Sequence, residues 1–332
     1  MSVTFNRNSH GSLVSVTVPM LLESDPQYYK RAAAAAGIGY ASTYTITANR
    51  FLTRGAGNAK ILKSDNTSKR FLSAILHLAP HQMSGKQLCP MAKACARVCV
   101  TYNGKGQMSN DGFESRGETI GKQSFLVRNI ATALTHNVHA ARIAKARLFN
   151  QNRDLFFECL FDDLSRFARS AARQDLTPLV RLNGTSDIPF ESLTIERLAH
   201  QTIFNALPGI QFYDYTKIGK RFLNTLPSNY DLTFSRDESN SQQCADILKR
   251  GGRVAAVIRT EAMRTSWGKP LAILGKQAIG QAIKNGIAEF DGVRVVDGDK
   301  SDLRHLDPTP SVVALYAKGR AARDDSGFVV TM

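Results

Sequence analysis

The sequence predicts an α/β protein whose parallel strands form a complete or partial (β/α) barrel, preceded by a small β-rich N-terminal segment. From residue 71 onward, short apolar runs alternate with longer amphipathic segments, as they do in parallel α/β folds. Polar side chains follow most of these runs at once, and in a barrel such strand ends meet on one rim. An open sheet would use only its switch point. The alternative is that these residues are polar only because loops after strands usually are. The number of polar strand ends favours a barrel.

The composition is that of an ordinary globular protein, with 332 residues, 43% hydrophobic and 21% charged. No apolar run approaches the roughly 20 residues that cross a bilayer, and the first residues lack the layout of a secretory signal. We therefore expect a soluble, cytoplasmic protein without a membrane partner. The 43 Lys and Arg residues outnumber 28 Asp and Glu residues, which gives a formal net charge of +15. This excess favours nucleic acid or a nucleotide-like ligand as partner, with better solubility as the alternative explanation.

Two regions differ in their patterns. Residues 1–70 are predicted to form the β-rich N-terminal segment, and residues 71–332 the barrel-like domain. In the first region, polar and apolar side chains alternate at residues 14–18 and 43–47, which indicates half-buried strands. A short helix is indicated at residues 31–36, because glycines follow it directly.

The barrel-like domain contains apolar runs that we predict to be strands, because they are nearly continuous in Val, Ile, Leu and Phe. The predicted strands span residues 71–78, 178–182, 210–213, 230–234, 254–258, 293–296 and 312–316. Between them, apolar residues at helical spacing predict helices. The predicted helices span residues 127–141, 156–171, 239–250 and 277–285.

Three cysteines lie within eleven residues, at the spacing C-x5-C-x3-C. Cys89, Cys95 and Cys99 follow the first predicted strand of the barrel closely, and thiolates select zinc, copper(I) or iron–sulfur clusters. Five cysteines in total, an odd number, fit a reducing compartment better than a disulfide framework. The other two, Cys159 and Cys244, are predicted to be small buried side chains within helices. Three unligated thiols are the alternative, which the crowding disfavours.

The identity of the bound group depends on its other ligands. A structural zinc site normally has four protein ligands, and no fourth Cys or His follows at a finger-like distance. His81, His136 and His139 are candidate remote ligands, although the last two are predicted to face solvent. A four-iron cluster on three cysteines leaves one iron open. We therefore expect a 4Fe-4S cluster, with zinc as the alternative.

The loop after the strand at 178–182 is a candidate cofactor site. Asn183, Thr185 and Ser186 surround Gly184, and such loops bind phosphate or carboxylate through backbone amides. Asp187 is a candidate catalytic residue that could also bind a ribose or an amino group. The alternative is a simple helix N-cap.

Two further strand ends carry reactive side chains. Asp214 and Lys217 follow the strand at 210–213 and are candidate catalytic residues. The tyrosines next to them would stack on bases or pack in the core. Asp297 is a candidate cofactor ligand and Asp299 a candidate catalytic residue, since this pair could bind magnesium. An Asp-Gly turn is the alternative there.

Longer motifs resemble a known family. They are, in order, NAK at 58–60, LAP at 78–80, LCPMAKACARVCV at 88–100, RLNGTSDIPFE at 181–191, FYDYTK at 212–217, NYDLTFSRDESN at 229–240, VVDGDKSDLR at 295–304 and VALYAKGRA at 313–321. Together they resemble the bacteriophage gene product 88 family over residues 58–328. The resemblance implies a phage-encoded protein in the host cytoplasm. It implies no activity, but the family pattern includes the cysteines and the polar strand ends named above.

Three functions follow as hypotheses. The first is a cluster-bearing barrel enzyme that acts on nucleic acid or a nucleotide-like substrate. Cysteines placed after the first barrel strand resemble the layout of radical S-adenosylmethionine enzymes, which implies S-adenosylmethionine as a ligand, although those enzymes use C-x3-C-x2-C. The second is a non-catalytic nucleic-acid-binding protein with structural zinc. The third is a magnesium-dependent nuclease at the Asp297/Asp299 turn.

Overall fold

The computed structural model describes residues 2–55, 70–102, 122–259, 280–281, 289–290 and 292–331. Its strands form one small antiparallel sheet near the N-terminus and one large, mostly parallel sheet. The predicted α/β class is therefore confirmed. The predicted helix at 277–285 lies outside the described residues, except that residues 280 and 281 are helical.

The small sheet has the strand order β1-β2-β3, formed by Thr4–Arg7, Leu13–Pro19 and Thr43–Thr47. Val16 and Val18 are buried, as the sequence predicts, whereas Val14 is exposed. Helix α1, Gln27–Ala35, lies between β2 and β3 and begins four residues before the predicted start. Gly37 follows it with a φ of +70°, a conformation that ends helices and that glycine adopts at little cost.

The large sheet has the order β4-β5-β6-β7-β8-β9-β12-β11-β10, and β13 pairs with β9. All neighbours are parallel except β4 with β5 and β10 with β11. Each strand predicted in the barrel-like domain forms. The strands are β4 Thr53–Arg54, β5 Phe71–Ile75, β6 Thr177–Arg181, β7 Gln211–Thr216, β8 Tyr230–Ser235, β9 Arg253–Arg259, β10 Glu289–Phe290, β11 Val293–Asp297, β12 Ser311–Tyr316 and β13 Val329–Thr331.

The helices that follow the small sheet are α2 Lys122–Thr135, α3 Asn137–Gln151, α4 Arg153–Ala172, α5 Ile203–Ala206 and α6 Ser241–Lys249. Helix α4 contacts β6 and α6 contacts β8 and β9, whereas α2 packs against α1, and α3 against β2 and β3. The single helix predicted at 127–141 is wrong, because His136 is extended, with a ψ of 116°, and separates α2 from α3. Helix α4 matches its prediction: its apolar stripe is buried. The Asn152 side chain accepts a hydrogen bond from the Leu155 amide at 3.0 Å and so caps its first turn.

The closed form of the predicted barrel is not shown. In the part of the chain that the structure describes, β4 and β10 are the two edges of the sheet and do not pair with each other. From β4 to β9 the strands lie side by side in chain order. β12 then lies between β9 and β11, so the chain order does not continue around to β5 and the sheet stays open. The Phe71 ring of β5 contacts the ring of His305, which lies between β11 and β12, with centroids 5.1 Å apart. The observed architecture is a mixed α/β fold around a mostly parallel sheet.

The segment between β11 and β12 covers the concave face of the sheet. Leu303 packs there against Tyr213 and Val313, and Arg304 has no exposed surface. The tyrosines of β7 lie on this face, whereas Phe212 packs in the main core on the helix side. The tyrosines therefore pack in a core cluster, which is one of the two roles that the sequence allowed. The carboxyl edge of the sheet carries the polar strand ends.

Candidate functional site

The cysteine loop, residues 86–102, contacts several strand ends at this carboxyl edge. The backbone amide of His81 donates to the Cys89 sulfur at 3.3 Å, and the Cys89 thiol donates to the Thr185 carbonyl oxygen at 3.7 Å. The backbone amide of Ala94, next to Cys95, donates to Glu238 Oε1 at 3.2 Å. The loop is therefore attached to the segments that follow β6 and β8.

Apolar contacts attach the same loop to the C-terminal part of the chain. Val98 packs in a cluster with Ala317, Ala321 and Val329. The guanidinium of Arg320 lies 5.0 Å from the centre of the Tyr102 ring, a cation–π distance. The cysteine loop is therefore surrounded by segments from four separate strands of the sheet.

The three predicted ligand thiols lie close enough to interact electrostatically. Negative charge on Cys95 or Cys99 would raise the pKa of Cys89, and negative charge on Cys95 would raise the pKa of Cys99. Burial raises the pKa of the Cys89 thiol, and it raises the pKa of Cys99 to about 11. Both thiols are consequently neutral near pH 7 unless a cation in the site favours the thiolate.

Two basic side chains, Arg142 and Lys217, lower the pKa of Cys99. Arg142 comes from α3 and donates through NH1 to Thr101 Oγ1 at 2.7 Å and to the Thr101 carbonyl oxygen at 3.3 Å. Burial lowers the pKa of Arg142 to about 10. Lys217 follows β7, and its buried Nζ has no hydrogen-bond partner among the described residues. Both cations lower the pKa of Cys99, so this part of the site favours negative charge.

The predicted loop at 183–187 is held by a buried hydrogen-bond network. Asn183 Oδ1 accepts from Ser186 Oγ at 2.9 Å and from the Ile188 amide at 2.8 Å. Asn183 Nδ2 donates to Asp214 Oδ2 at 3.1 Å. Thr185 Oγ1 donates to the Leu78 carbonyl oxygen at 2.5 Å. The predicted cofactor-binding side chains therefore fix the loop against β5 and β7.

Gly184 allows this loop to approach β5. A Cβ atom at position 184 would lie 2.5 Å from Ile75 Cγ2 and 2.7 Å from the Leu76 carbonyl oxygen. No side chain larger than hydrogen fits there without a backbone shift. This contact brings the Thr185 carbonyl oxygen to the Cys89 thiol.

Asp187 connects this loop to β7. Its carboxylate accepts from the Lys217 amide at 2.9 Å and from Arg221 NH1 at 3.1 Å. Burial raises the pKa of Asp187, and the two donors offset part of that rise. Charge on Asp187 also raises the pKa of Cys89. The candidate catalytic carboxylate is thus near the thiols but already has two hydrogen-bond donors.

Asp214 lies deeper, between β6 and β8. Its carboxylate accepts from the Asn183 amide at 2.7 Å and from the Tyr230 hydroxyl at 3.0 Å. Burial raises the pKa of Asp214 to about 6. The position is fully buried, so its geometry favours a role in holding neighbouring loops.

Arg221 is the side chain in this network that the sequence analysis missed. It donates to both carboxylate oxygens of Glu191, at 2.7 and 2.8 Å, and to the Tyr230 hydroxyl at 2.6 Å. Arg221 lies in a short 3-10 helix, Gly219–Leu223, and its partners are distant in the sequence. The only sequence signal was its place shortly after a polar strand end.

Asp297 and Asp299 form a separate group. Asp297 Oδ1 accepts from the Asp299 amide at 2.8 Å, and Lys318 Nζ lies 2.6 Å from Asp299 Oδ2. Within the described residues, no contact links this pair to the cysteine loop. Asp299 thus has a lysine partner, and the hydrogen bond across Gly298 is the turn that the alternative interpretation expects.

The candidate histidines are placed differently from each other. The prediction that His139 faces solvent is wrong, because its side chain is buried and its ring lies 6.2 Å from the Tyr102 ring. The cysteine loop, through Tyr102, covers the face of α3 that the helical pattern left polar. His136 is half-buried. Burial lowers the pKa of His81 to about 4, so its imidazole is neutral near pH 7.

No group of three or more His, Cys, Asp or Glu side chains among the described residues is arranged to hold a metal ion. The thiols of the cysteine loop are neighbours without closing on a single ion. The buried Cys159 and Cys244 lie in α4 and α6, as predicted. A search of the described helices finds none that is long and apolar enough to span a bilayer.

Comparisons with known proteins give one assignment. Neither curated proteins nor solved structures provide a significant match. The family model described as Gene product 88 matches residues 50–332, which include the cysteine loop and every polar strand end described above. The chain is a member of the phage gene product 88 family.

Proposed function

We propose that Cys89, Cys95 and Cys99 bind an iron–sulfur cluster of the four-iron type, and that the carboxyl end of the sheet is the active site of an enzyme. The observation that supports this most directly is that the three thiols lie close enough for charge on one to raise the pKa of another. They belong to a loop that contacts segments after β6, β8 and β12. In parallel α/β folds, ligands bind at this edge.

A single zinc ion and an iron–sulfur cluster place different demands on the three thiols. Zinc requires each sulfur to lie about 2.3 Å from one centre, and the described residues present no such group. In a cluster, each cysteine binds a different iron atom, so the sulfurs stand farther apart.

The surrounding charge fits an anionic group. Thiolates bound to a cluster carry negative charge, and Arg142 and Lys217 are half-buried cations that favour charge on Cys99. Neither forms a hydrogen bond to a carboxylate in the described structure. Lys217 has one carboxylate oxygen nearby, Asp237 Oδ2 at 3.7 Å, and an anionic occupant would add to the compensation of both cations.

The chain's own residues have distinct roles in this proposal. A cluster on three cysteines leaves one iron open for a ligand. We propose S-adenosylmethionine as the ligand of that iron. Asp187 is placed near Cys89 and can accept a proton or bind an amino group. Lys217 can pair with an anionic substrate group. Asn183 and Asp214 hold the loop that carries Asp187.

The substrate class in this proposal is nucleic acid or a nucleotide-like molecule. The net charge of +15 favours polyanions through counterion release. The basic side chains at the site, Arg142 and Lys217, would favour the same ligands. A phosphate-bearing substrate would satisfy both features.

Metal analysis with matched variants tests the cluster. After anaerobic purification, we expect about four iron and four sulfide per chain, with a large loss in Cys89→Ser, Cys95→Ser and Cys99→Ser. Cys244→Ser is the control, since it makes the same change in a thiol far along the chain in α6 and should keep full iron. Iron content that is unaffected by the loop variants would refute the assignment.

Structural zinc is the competing occupant, and the same analysis separates the two. One zinc per chain without iron would support a non-catalytic, nucleic-acid-binding protein. In that case chelation should unfold the protein. Under the cluster proposal, loss of the cluster leaves the sheet folded, because the core includes only Leu88 and Tyr102 from the described part of the loop and is otherwise formed by apolar residues of other segments.

A further inference from the structure

The last residues of the chain form a strap over the site. We define the C-terminal strap as residues 324–331, which end in β13. β8 pairs with β9 only near Val254 and Ala255, whereas β13 pairs with β9 farther along, at residues 257–259. β12 occupies the other side of β9. The strap therefore takes the place beside β9 that β8 leaves at the carboxyl edge.

The strap covers Lys217. The Phe328 ring centre lies 4.8 Å from Lys217 Nζ. Next to it, Val329 packs with Val98 of the cysteine loop and with Ala317. Phe328 and Val329 thus separate the lysine and the cysteine loop from solvent on this side.

The strap is held by a short strand ladder, by apolar packing of residues 328–330 and by two arginines, of which Arg259 also pairs with Asp325 at 3.1 Å. Arg236 NH1 donates to the carbonyl oxygens of Gly327 and Phe328 at 3.0 and 3.3 Å. Arg259 NH1 donates to the Asp324 carbonyl oxygen at 2.6 Å. The β13 ladder is three residues long, and the Val329 amide bonds within the strap, to Asp324 Oδ2. A segment held by a three-residue ladder and by side-chain hydrogen bonds can open locally, without global unfolding.

The covered lysine favours opening. Lys217 Nζ is buried without a hydrogen bond, and its nearest described carboxylate oxygen, Asp237 Oδ2, is 3.7 Å away. Asp237 already accepts from the Ser239 amide and hydroxyl through its other oxygen. In the closed state the ammonium is therefore compensated by Asp237 at 3.7 Å and by the Phe328 ring, but it makes no hydrogen bond within the described residues, which is costly for a charged group. A phosphate group in the place of Phe328 would supply those acceptors.

We propose that Lys217 is a phosphate-binding group beneath the C-terminal strap, and that displacement of Phe328 admits the ligand beside Cys99. This deepens the proposed function, on which the choice of a phosphate-bearing ligand rests, but it requires no metal. A ligand that binds the open state shifts the strap toward that state.

Chemical modification of amines tests whether Phe328 shields Lys217 from solvent. The full-length protein is treated briefly with an amine-acylating reagent and mapped by mass spectrometry. Lys220 is the internal control, because it is exposed and lies three residues away. We expect Phe328→Ala to accelerate modification of Lys217 by about tenfold and to leave Lys220 unchanged. Phe5→Ala, at an exposed N-terminal position, should change neither. Equal rates for Lys217 in wild type and Phe328→Ala would overturn the proposal.

Hydrogen exchange tests the ligand. Inorganic pyrophosphate and a short single-stranded oligonucleotide are added separately, and exchange of the strap amides is followed. We expect one or both to accelerate strap exchange several-fold, with no effect on Lys217→Met. The probe that acts identifies a free or polymeric phosphate as the source. No acceleration by either, or equal acceleration in Lys217→Met, would overturn the proposal. Iron content does not enter these readouts, so failure here is distinguishable from failure of the cluster.

Discussion

The Asp214 carboxylate accepts two hydrogen bonds from Asn183, one from the backbone amide at 2.7 Å and one from the side-chain amide at 3.1 Å. This pair joins the end of β6 to β7 inside the protein. Asn183 in turn accepts from Ser186 and Ile188. The shape of the loop beside the cysteines thus depends on a buried carboxylate on the next strand.

The raised pKa of Asp214 predicts that the difference in stability between wild type and Asp214→Asn depends on pH. Burial raises its folded-state pKa to about 6, above the ordinary value of 3.8. Its contribution is therefore fully present below pH 3.8 and is lost as the pH rises through 6. Asp214→Asn removes this titration. We expect the unfolding free energy of wild type, relative to the variant, to fall by about 2–3 kcal/mol from pH 4 to pH 7. Denaturant unfolding across that range measures it, and a flat difference would contradict the assignment.

Gly184→Ala should destabilise the protein and disturb the thiol site. The new methyl group would meet Ile75 and the Leu76 carbonyl oxygen at 2.5 and 2.7 Å, so the loop must shift. We expect a loss of about 1–3 kcal/mol and lower cluster content. Gly209→Ala is the control, because nothing lies within 4 Å of the added atom. Equal stability of the two variants would show that the loop does not need this close approach.

Arg147 joins the N-terminal segment to α3. Its guanidinium donates to both Asp25 oxygens, at 3.2 and 2.8 Å, and to the carbonyl oxygens of Pro19 and Ser84. Arg147→Met leaves a carboxylate and two carbonyls without their donor, which typically costs about 3–5 kcal/mol. Arg31→Met, on the exposed side of α1, should stay within about 0.5 kcal/mol of wild type. Thermal unfolding that affects both variants alike would rule out this function of Arg147.

The net charge predicts salt-sensitive binding of nucleic acid. We expect a single-stranded oligonucleotide to bind at 50 mM salt and to weaken by at least about tenfold at 200 mM, because counterion release drives such binding. An uncharged peptide nucleic acid of the same sequence is the control and should not bind. Fluorescence anisotropy measures both. Binding that is insensitive to salt, or absent at low salt, would argue against a nucleic-acid substrate.

The sequence predicts strands and strand ends well, because both are local properties. Continuous apolar runs such as residues 254–258 formed strands, and polar residues after them, such as Asp187 and Lys217, meet at one edge. The strand order was not predictable, since nothing local places β12 between β9 and β11. The burial of His139 was missed for a similar reason: its partner, Tyr102, belongs to a distant loop.

Anomalous diffraction at the iron edge, from crystals of anaerobically purified protein, tests the central claim most directly. The proposal predicts a strong iron peak between the sulfur atoms of Cys89, Cys95 and Cys99. A peak only at the zinc edge, or sulfur atoms without any metal peak between them, would contradict the cluster proposal.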